Sequence, residues 1–310
     1  MRVVRHLEHV SPRLGPVVLT LGNFDGVHRG HEAIICRAVD EARSRAAAAA
    51  VLTFHPHPVA VLAPERASAR IQPLHDRLER FCDLGVDLAV VRRFTPAFAA
   101  VGAEAFVTDF LLPRLAVVHV VVGHNVSFGR RREGTVDTLR MLGARHGFTV
   151  EDVGPVTAAG AEVSSTALRR ELAAGDVGRA AELLGRPHVL RGRVMAGDRR
   201  GRTLGFPTAN LHLKPGVLLP PDGVYAVRAR LDGTTRSAVM NVGVRPTFGG
   251  LRHTVEAYLL DFDGDLYGRW LAVELVARLR GEQRFAGVEA LQAQIAADVA
   301  QARGVLGTGT

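Results

Sequence analysis

The chain has 310 residues, a hydrophobic content of 47% and a formal net charge of +8 at pH 7. This length fits about two domains of roughly 100–200 residues each. No apolar run reaches the roughly 18–20 residues of a membrane span, and the N-terminus lacks the apolar segment of a signal peptide. The two cysteines, Cys36 and Cys82, lack metal-type spacing, so we expect reduced thiols in a cytoplasmic protein. The basic charge predicts acidic partners: nucleic acid, a membrane surface or phosphorylated small molecules.

The first half of the chain alternates predicted strands with predicted helices. The expected strands are Val17–Leu21, the end of Ala46–Phe54, Val86–Val91 and Val117–Val122, and the expected helices are Glu32–Arg45, Pro73–Gly85, Ala103–Leu112 and Ser164–Ala174. Continuously apolar strands between helices are typical of a parallel sheet in an α/β domain. The prolines of Thr53–Pro58 predict a segment without regular structure.

After about Gly185 the chain changes to short predicted strands separated by turn signals. Pro187 ends the preceding helix, and Asp-Gly pairs mark two of the turns. The expected elements are strands at Val189–Val194, Gly223–Arg230, Ser237–Val242, Val255–Asp261 and Leu271–Leu279 and a helix at Val288–Gly304. This spacing predicts a small antiparallel barrel with a C-terminal helix. The predicted domains are residues 1–185 and 186–310.

Leu21–His31 reads Leu-Gly-Asn-Phe-Asp-Gly-Val-His-Arg-Gly-His and joins the first predicted strand to the first predicted helix. Glycines let the backbone approach a ligand closely, and a helix N-terminus offers free N–H groups to an anion. His28 and His31 are three residues apart, so both can point to one side of the first helical turn. No third ligand has the spacing of a zinc site. The stretch therefore predicts a nucleotide phosphate site.

The same stretch resembles the His-x-Gly-His signature of nucleotidylyltransferases, and more closely the Gly-Asn-Phe-Asp-Gly-Val-His-x-Gly-His of bacterial bifunctional riboflavin kinase/FAD synthetases. Val163–Arg169 resembles the second signature of that superfamily, Ile-Ser-Ser-Thr-x-x-Arg, although alone it would be an ordinary capped helix. The resemblance implies a Rossmann-like nucleotidylyltransferase domain in which His28 and His31 are catalytic. The implied ATP-binding residues are Gly22, Phe24, Asp25, Gly26, His28, Gly30, His31, Ser164, Ser165, Thr166 and Arg169.

Two further loops resemble the flavin-side pocket of that family. Thr53–Pro58 is similar to Thr-Phe-x-Pro-His-Pro, and Gly123–Gly129 is similar to Gly-x-Asp/Asn-Phe-x-Phe-Gly. Loops at the carboxyl ends of strands hold ligands in open α/β sheets. In this chain His55 stands where an acidic residue is common, and Val126 replaces the usual aromatic residue. The implied flavin-binding residues are Pro56, His57, Pro58, Asn125 and Phe128. Arg130–Arg132, in the same loop, fit either a solvated surface or a phosphate site.

Gly192–Asn210 opens the second predicted domain. It is not a Walker A loop, because its glycine spacing is one residue short and Pro207 blocks the helix that should follow. It resembles instead the riboflavin kinase motif Gly-Phe-Pro-Thr-Ala-Asn. In an extended chain Thr208 and Asn210 point to one face, where two oxygen ligands suit Mg²⁺. The resemblance implies an ATP site with Gly201, Thr208 and Asn210, the last two as metal ligands.

Glu256 is a lone carboxylate in the otherwise apolar run Val255–Leu260. Spacing alone fits a solvent-facing strand residue. The resemblance implies instead the catalytic base, which would accept the proton of the ribityl 5′-hydroxyl as that oxygen attacks the γ-phosphate. The other segments that match the kinase are Pro221–Ala226, Asn241–Phe248 and Arg280–Phe285, the last of which implies that Arg280 and Phe285 bind flavin.

The resemblance implies a bifunctional enzyme of FAD biosynthesis. The barrel would phosphorylate riboflavin to FMN with ATP and Mg²⁺, and the α/β domain would adenylylate FMN to FAD with release of pyrophosphate. One alternative is a basic nucleic-acid-binding protein, although no basic stretch carries stacking aromatic residues. The other is a riboflavin kinase with an inactive or repurposed first domain. We expect small-molecule substrates, no nucleic acid and no membrane; the sequence does not predict the oligomeric state.

Overall fold

The computed structural model describes residues 1–10, 14–197, 201, 204–247 and 250–307. Contacts between Cα atoms divide the chain into two compact units, Met1–Ser165 and Thr166–Thr310. The domain boundary predicted from the sequence lies later in the chain, after Gly185. Two helices lie between these positions, and they are described below with the second unit.

The first unit is built on a six-stranded parallel sheet. Its strands are β1 (Arg2–Val4), β2 (Pro16–Leu21), β3 (Ala48–His55), β4 (Leu88–Arg93), β5 (Ala116–Gly123) and β6 (Thr149–Val153). They are ordered β1-β4-β3-β2-β5-β6, with parallel pairing throughout. In the sheet, β3 lies on one side of β2 and β5 lies on its other side, so the direction in which strands are added reverses next to β2. In open α/β sheets such a switch of direction opens a ligand-binding crevice at the carboxyl ends of the strands.

Helices and a small hairpin surround this sheet. They are α1 (Arg29–Ser44), α2 (Pro58–Leu62), α3 (Leu74–Asp83), α4 (Pro96–Ala99), α5 (Ala103–Ala105), a π-helix (Phe106–Leu111), α6 (Val136–His146), and strands β7 (Thr157–Ala158) and β8 (Ala161–Glu162). Val17, Val18 and Leu19 of β2 are fully buried, as expected of a parallel strand covered on both faces. The predicted Rossmann-like α/β fold is therefore confirmed.

Some local predictions for this unit were wrong. β3 continues through His55, and α2 begins at Pro58, so Thr53–Pro58 is largely regular structure. Proline is tolerated there because the first helical position needs no N–H donor. The edge strands β1 and β6 were not predicted, since β1 has three residues and β6 has no fully buried residue.

The second unit contains a closed antiparallel barrel. Its elements are α7 (Ser165–Ala174, from the last residue of the first unit), α8 (Val177–Leu184), β9 (Val189–Met195), β10 (Ala209–Leu213), β11 (Gly223–Leu231), β12 (Thr234–Thr247), β13 (Gly250–Leu259), β14 (Trp270–Arg280) and α9 (Val288–Leu306). The barrel order is β10-β13-β12-β11-β14-β9. The predicted antiparallel barrel and C-terminal helix are confirmed, and β10 is an additional strand.

Apolar side chains fill the barrel interior, among them Leu190, Tyr225, Met240 and Leu271. Successive strand residues alternate between interior and exterior. α9 covers part of the exterior through Ala302 and Leu306. No helix in the described part of the chain is long and apolar enough to cross a membrane.

Candidate active sites

The turn between β2 and α1 carries Gly22, Phe24, Asp25, Gly26 and His28, and the first turn of α1 carries Gly30 and His31. His28 is the N-cap residue of α1, and its Nδ1 accepts a hydrogen bond from the backbone N–H of His31 at 3.3 Å. The two imidazole rings stack with their centroids 3.6 Å apart. Because Nδ1 of His28 is an acceptor, the neutral ring carries its proton on Nε2, which can donate to an anion.

The second predicted signature meets this turn, although about 130 residues separate the two in sequence. Ser165 Oγ donates a hydrogen bond to the carbonyl oxygen of Asp25 at 2.9 Å. A Cβ on Gly30 would stand 3.5 Å from the carbonyl oxygen of Val163, at ordinary van der Waals distance, so the two segments lie side by side. Ser164 precedes α7, whereas Thr166 and Arg169 lie within α7 and belong to the second unit.

The carboxylate of Asp25 is buried and accepts two backbone hydrogen bonds. Its oxygens lie 3.2 Å from the N–H nitrogens of Ile71 and Gln72. This ties the segment before α3 to the turn that carries the histidines. Asp25 therefore has a structural task in the turn, which the sequence pattern alone did not suggest.

The loops after β3 and β5 leave the sheet at the same edge as the histidine turn. Pro56 separates β3 from His57, whose ring caps α2 by accepting a hydrogen bond from Val59 N–H at 3.3 Å. Asn125 is exposed in the loop after β5. Phe128 is only 7% exposed, and its ring packs against Phe106 in the sheet core. Phe128 thus anchors its loop through contacts with the hydrophobic core of the first unit.

An aromatic wall at this edge was not predicted from the sequence. Phe54, Phe94 and Phe98 are half-buried, with ring centroids 5.7 to 6.1 Å apart. The available signal was a phenylalanine at or just after the end of two neighbouring strands. Burial lowers the pKa of His55, which follows Phe54 on β3, and the positive charge of Arg77 adds to this effect. His55 therefore does not supply the negative charge of the acidic residue that it replaces.

In the barrel, the predicted ligand Asn210 and the predicted base Glu256 lie on adjoining strands, and the predicted ligand Thr208 directly precedes β10. Asn210 of β10 and Asn241 of β12 both pair with Glu256 of β13, one from each side. Thr208 Oγ1 donates a hydrogen bond to Glu256 Oε2 at 3.0 Å. Because the hydroxyl proton of Thr208 points to Glu256, the oxygen lone pairs of Thr208 can face a cation. Hydroxyl, amide and carboxylate oxygens together fit the ligand preference of Mg²⁺.

A tight loop passes over Thr208. A Cβ on Gly201 would overlap the carbonyl oxygen of Phe206 and stand 3.1 Å from Thr208 Oγ1. This close approach requires glycine and fits a loop that presents backbone to phosphate. The neighbouring residues 198–200 and 202–203, and residue 248 of the matching segment Asn241–Phe248, lie outside the described residues.

A cavity of about 360 Å³ opens beside Glu256, between the outer barrel wall and α9. Its walls are mainly apolar, with Phe206, Tyr258, Phe285, Leu291 and Ile295. A second cavity of about 430 Å³ is lined by residues that include Phe262 and Tyr267. Thr208 lines both cavities. The arrangement can therefore hold two ligands that meet at Thr208.

Arg280 lines the first cavity and fastens α9 to the barrel. Its Nε and Nη2 atoms donate to the carboxylate of Asp298 at 2.8 to 3.1 Å. Asp298 is 2% exposed, and the guanidinium carbon of Arg280 lies 5.7 Å from the centre of the Phe285 ring. Asp298 was not predicted from the sequence, because its partner Arg280 lies on β14 and not on the same helix.

Comparison with known proteins gives a consistent result for both halves. The family model for FAD synthetase matches residues 11–167, and that for riboflavin kinase matches residues 184–306. Three curated relatives are each described as a bifunctional riboflavin kinase/FMN adenylyltransferase. The Escherichia coli K12 protein is 41% identical (99% of this chain and 98% of that protein), the Pseudomonas fluorescens protein 43% (98% and 97%), and the Bacillus subtilis protein 37% (96% of each).

A solved structure matches nearly the whole chain as well. It is described as a macrolide-efflux protein from Streptococcus pneumoniae, is 30% identical and has a TM-score of 0.88, covering 97% of this chain and 98% of that chain. The FAD synthetase model matches the N-terminal half and the riboflavin kinase model matches the C-terminal half, and the curated relatives cover nearly the whole chain. The chain therefore belongs to the family of bifunctional riboflavin kinase/FMN adenylyltransferases, with the FAD synthetase domain first and the riboflavin kinase domain second.

Proposed function

We propose that the two activities of the family occupy the two sites described above. The outer cavity of the barrel phosphorylates riboflavin to FMN, and the crevice at the carboxyl edge of the sheet adenylylates FMN to FAD. For the kinase, the observation that carries the assignment is the hydrogen bond between Thr208 and Glu256 at the wall of the cavity. For the adenylyltransferase, it is the stacked histidine pair at the N-terminus of α1.

In the kinase reaction, Glu256 acts as the general base. The carboxylate accepts the proton of the ribityl 5′-hydroxyl, whose oxygen forms a bond to the γ-phosphorus while the bond to the ADP oxygen breaks. The apolar wall of the cavity, including Phe285, packs against the flavin ring, and Arg280 fixes the position of that wall. The nucleotide occupies the neighbouring cavity and reaches Thr208 from the other side.

Thr208 and Asn210 are the proposed ligands of Mg²⁺, which when bound would neutralise phosphate charge. The oxygen donors near Glu256 fit a hard cation that shares its coordination shell with phosphate. Thr208 also orients Glu256 through its hydrogen bond, and Gly201 lets the overlying backbone approach the phosphates. These residues position the reactants, which is the main source of catalysis in phosphoryl transfer.

In the adenylyl transfer, an oxygen of the FMN phosphate attacks the α-phosphorus of ATP, and pyrophosphate leaves. The attacking phosphate is already anionic, so the protein needs to stabilise charge and align the groups. His28 donates from Nε2, His31 lies beside it, and the positive end of the α1 dipole faces the phosphates. The hydroxyl groups of Ser164 and Ser165 complete the proposed ATP site of this unit, together with Gly22, Phe24, Asp25, Gly26 and Gly30. The roles of Thr166 and Arg169 stay predictions from the sequence motif.

The flavin end of FMN binds along the loops after β3 and β5. Pro56, His57 and Pro58 provide one side and Asn125 provides polar contacts. Phe128 contributes by holding its loop in place from the core. The wall of Phe54, Phe94 and Phe98 offers the aromatic surface that Val126 does not supply. Aromatic side chains pair well with a flat conjugated ring in stacked or edge-on geometry.

We further propose a cytoplasmic location and no nucleic-acid partner. Both cysteines are free and exposed, as is usual in a reducing compartment. Many arginines are engaged by acidic side chains, including Arg37, Arg80 and Arg303. In the arginine-rich loop, Arg132 donates to Ser127 Oγ at 2.8 Å, which favours a structural task over nucleic-acid binding for that residue.

The test incubates the pure protein with riboflavin, ATP and Mg²⁺ and separates the flavins by chromatography. FMN should appear first and FAD should follow. A parallel reaction starts from supplied FMN, so that the second activity is measured independently of the first. Absence of FMN in the first reaction would refute the kinase assignment. FMN without FAD in both reactions would favour a kinase with an inactive first domain.

A further inference from the structure

Arg77 on α3 is a buried cation: burial lowers its pKa, and the charge of Asp25 opposes this effect without forming an ion pair with it. The residue is 5% exposed. Its Nη1 donates to the carbonyl oxygen of Asn23 and lies 3.4 Å from Thr53 Oγ1. Among the residues that the structure describes, no carboxylate lies within ion-pair distance of it, and its Nε has no hydrogen-bond partner. Burying a charge without an ion pair costs free energy of folding, so we expect the Arg77 side chain to have a role that offsets this cost.

The contacts of Arg77 converge on one backbone oxygen in the histidine turn. Thr53 Oγ1 also donates to the carbonyl oxygen of Asn23, at 3.2 Å. Two donors from different elements, α3 and β3, thus occupy the same acceptor. Since a carbonyl oxygen accepts two hydrogen bonds, this pair fixes the orientation of the Asn23 peptide group.

The turn that follows Asn23 is strained and leads directly to the histidines. Phe24 and Val27 have φ angles of +50° and +41°, which non-glycine residues adopt at a cost and keep only where their surroundings enforce it. The Phe24 ring packs edge-on against His31 with centroids 5.2 Å apart, and His31 stacks on His28. Direct contacts therefore run from Arg77 through the Asn23 carbonyl to both imidazoles.

We propose that Arg77 is a positioning residue for adenylyl transfer. It holds the turn 23–27 in the strained geometry that presents His28 and His31 to the phosphates of ATP. The inference rests on the function proposed above for the histidine pair. Thr53 has the same positioning role, because it donates a hydrogen bond to the same carbonyl oxygen. Arg77 acts through the turn, and its burial keeps it from contacting ATP directly.

The experiment compares Arg77→Met with Arg77→Lys in the full-length protein. Arg43→Met is the matched control, because Arg43 pairs with Asp87 at the surface of the same unit. We expect Arg77→Met to lower kcat for FMN adenylylation by about 10²-fold, the effect of misplacing a catalytic group by about 1 Å. Riboflavin kinase activity in the same sample should be unchanged. Arg77→Lys should recover part of the rate, and Arg43→Met should behave like the wild type.

A second readout separates positioning from mere stability. The imidazole NMR signals of His28 and His31 should shift in Arg77→Met and remain in place in Arg43→Met. Thr53→Val removes the second donor at constant shape, and its effect on kcat should be non-additive with that of Arg77→Met. If Arg77→Met does not fold, Thr53→Val alone decides: unchanged kinetics and unchanged imidazole signals would overturn the inference.

His31→Ala distinguishes this inference from the proposed function. If His31→Ala leaves FAD formation intact, the assignment of the histidine pair is wrong. If His31→Ala abolishes FAD formation while a folded Arg77→Met variant retains the wild-type kcat, the pair is correctly assigned and Arg77 does not position it.

Discussion

Glu256 owes its surroundings to its position on the outward face of β13. Val255 and Ala257 on either side of it are buried in the barrel interior, so the alternation of the strand turns Glu256 outward. There it meets the hydroxyl of Thr208, which holds the carboxylate at the wall of the cavity. The alternation of β13 thus turns Glu256, the charged residue of this apolar run, toward the outer cavity.

Replacing Glu256 by glutamine keeps the shape of the side chain and removes the base. General-base assistance contributes typically about 10²–10⁴-fold, so we expect kinase turnover to fall by an amount in that range. FMN adenylylation, measured with supplied FMN, should be normal. Glu274→Gln is the control, since Glu274 pairs with Arg230 on the same barrel at 3.2 Å and lies outside the cavity. Wild-type kinase rates in Glu256→Gln would refute the role.

At this scale the sequence indicates single candidate residues but not their neighbours in the fold. The histidine pair is indicated by residue type and spacing, and Glu256 by its family motif. Asn241 and Asp298 are not indicated, because each becomes part of the site only when strands or helices far apart in sequence are paired. Phe128 illustrates the converse: its motif implies a ligand contact, whereas its burial against Phe106 depends on a core that no local pattern describes.

Helix α9 is attached to the barrel by two arginine–aspartate pairs that differ in burial. Arg280 and Asp298 have side-chain exposures of 16% and 3%, whereas those of Arg303 and Asp261 are 26% and 70%. Both arginines donate through two nitrogen atoms. The buried pair lines the cavity and the exposed pair does not, so the two provide an internal comparison.

Asp298→Asn should weaken the attachment of α9 strongly. Removing one partner of a buried ion pair leaves an uncompensated charge and costs about 3–5 kcal/mol, and asparagine retains enough hydrogen bonding to favour the lower end. We expect a lower Tm and a raised KM for riboflavin. Asp261→Asn should change both quantities little, because exposed pairs contribute little. Equal effects of the two substitutions, measured by thermal unfolding and kinase kinetics, would contradict this assignment.

Strand β5 carries a buried histidine that should make the first unit sensitive to acid. His119 is 4% exposed; its Nδ1 lies 2.6 Å from Thr149 Oγ1 and its Nε2 lies 3.6 Å from Glu151. Burial lowers its pKa below the ordinary value of 6.5, and the charge of Arg45 adds to this, while Glu41 and Glu151 oppose it. The folded state therefore binds fewer protons at His119 than the unfolded state does. The contribution of neutral His119 to the free energy of unfolding is complete above pH 6.5 and is lost as the pH falls through the lowered pKa.

The expected result is a Tm that falls on acidification from about pH 7 to about pH 5, and falls less steeply in His119→Gln. Glu151, whose pKa is lowered by its hydrogen bond to Arg37, gives the same sign at more acidic pH. Identical slopes for the wild type and His119→Gln would show that His119 does not titrate in this range.

For the molecule as a whole, the question is where one activity ends and the other begins. The change of sequence pattern and Pro187 predict a boundary near Gly185, and we propose that the activities divide there. The packing of α8, which precedes this boundary, could not be predicted from the sequence. Val177 of α8 is 2% exposed and lies in the apolar cluster that fills the barrel. Helix α8 also packs against β14.

Two kinase fragments test this division. The fragment of residues 186–310 should phosphorylate riboflavin, because it retains Thr208, Asn210 and Glu256. The fragment of residues 166–310 should have the higher Tm, since it keeps α8 and each fully buried large apolar side chain contributes about 1.5–3 kcal/mol. Equal Tm values would contradict the contribution of α8. A folded fragment of residues 166–310 without kinase activity would show that the site needs the first unit.

The matching fragment of residues 1–185 retains both signatures, from Leu21–His31 to Val163–Arg169. We expect it to convert supplied FMN to FAD. Its rate is compared with that of the intact chain under the same conditions. A fragment that is folded and inactive would mean that the adenylyltransferase requires residues of the barrel, and the proposed division near Gly185 would be wrong.

The filled interior of the barrel has a consequence for altering which flavins the kinase accepts. Enlarging or shrinking an interior side chain disturbs a packed core and costs stability. Leu291 and Ile295, one turn apart on α9, are half-buried and line the outer cavity. Substitutions at these two positions change the size of the pocket while the interior stays intact. With flavin in the outer cavity, as proposed above, acceptance of bulkier flavin analogues should depend on substitutions in α9, while the barrel stays unchanged.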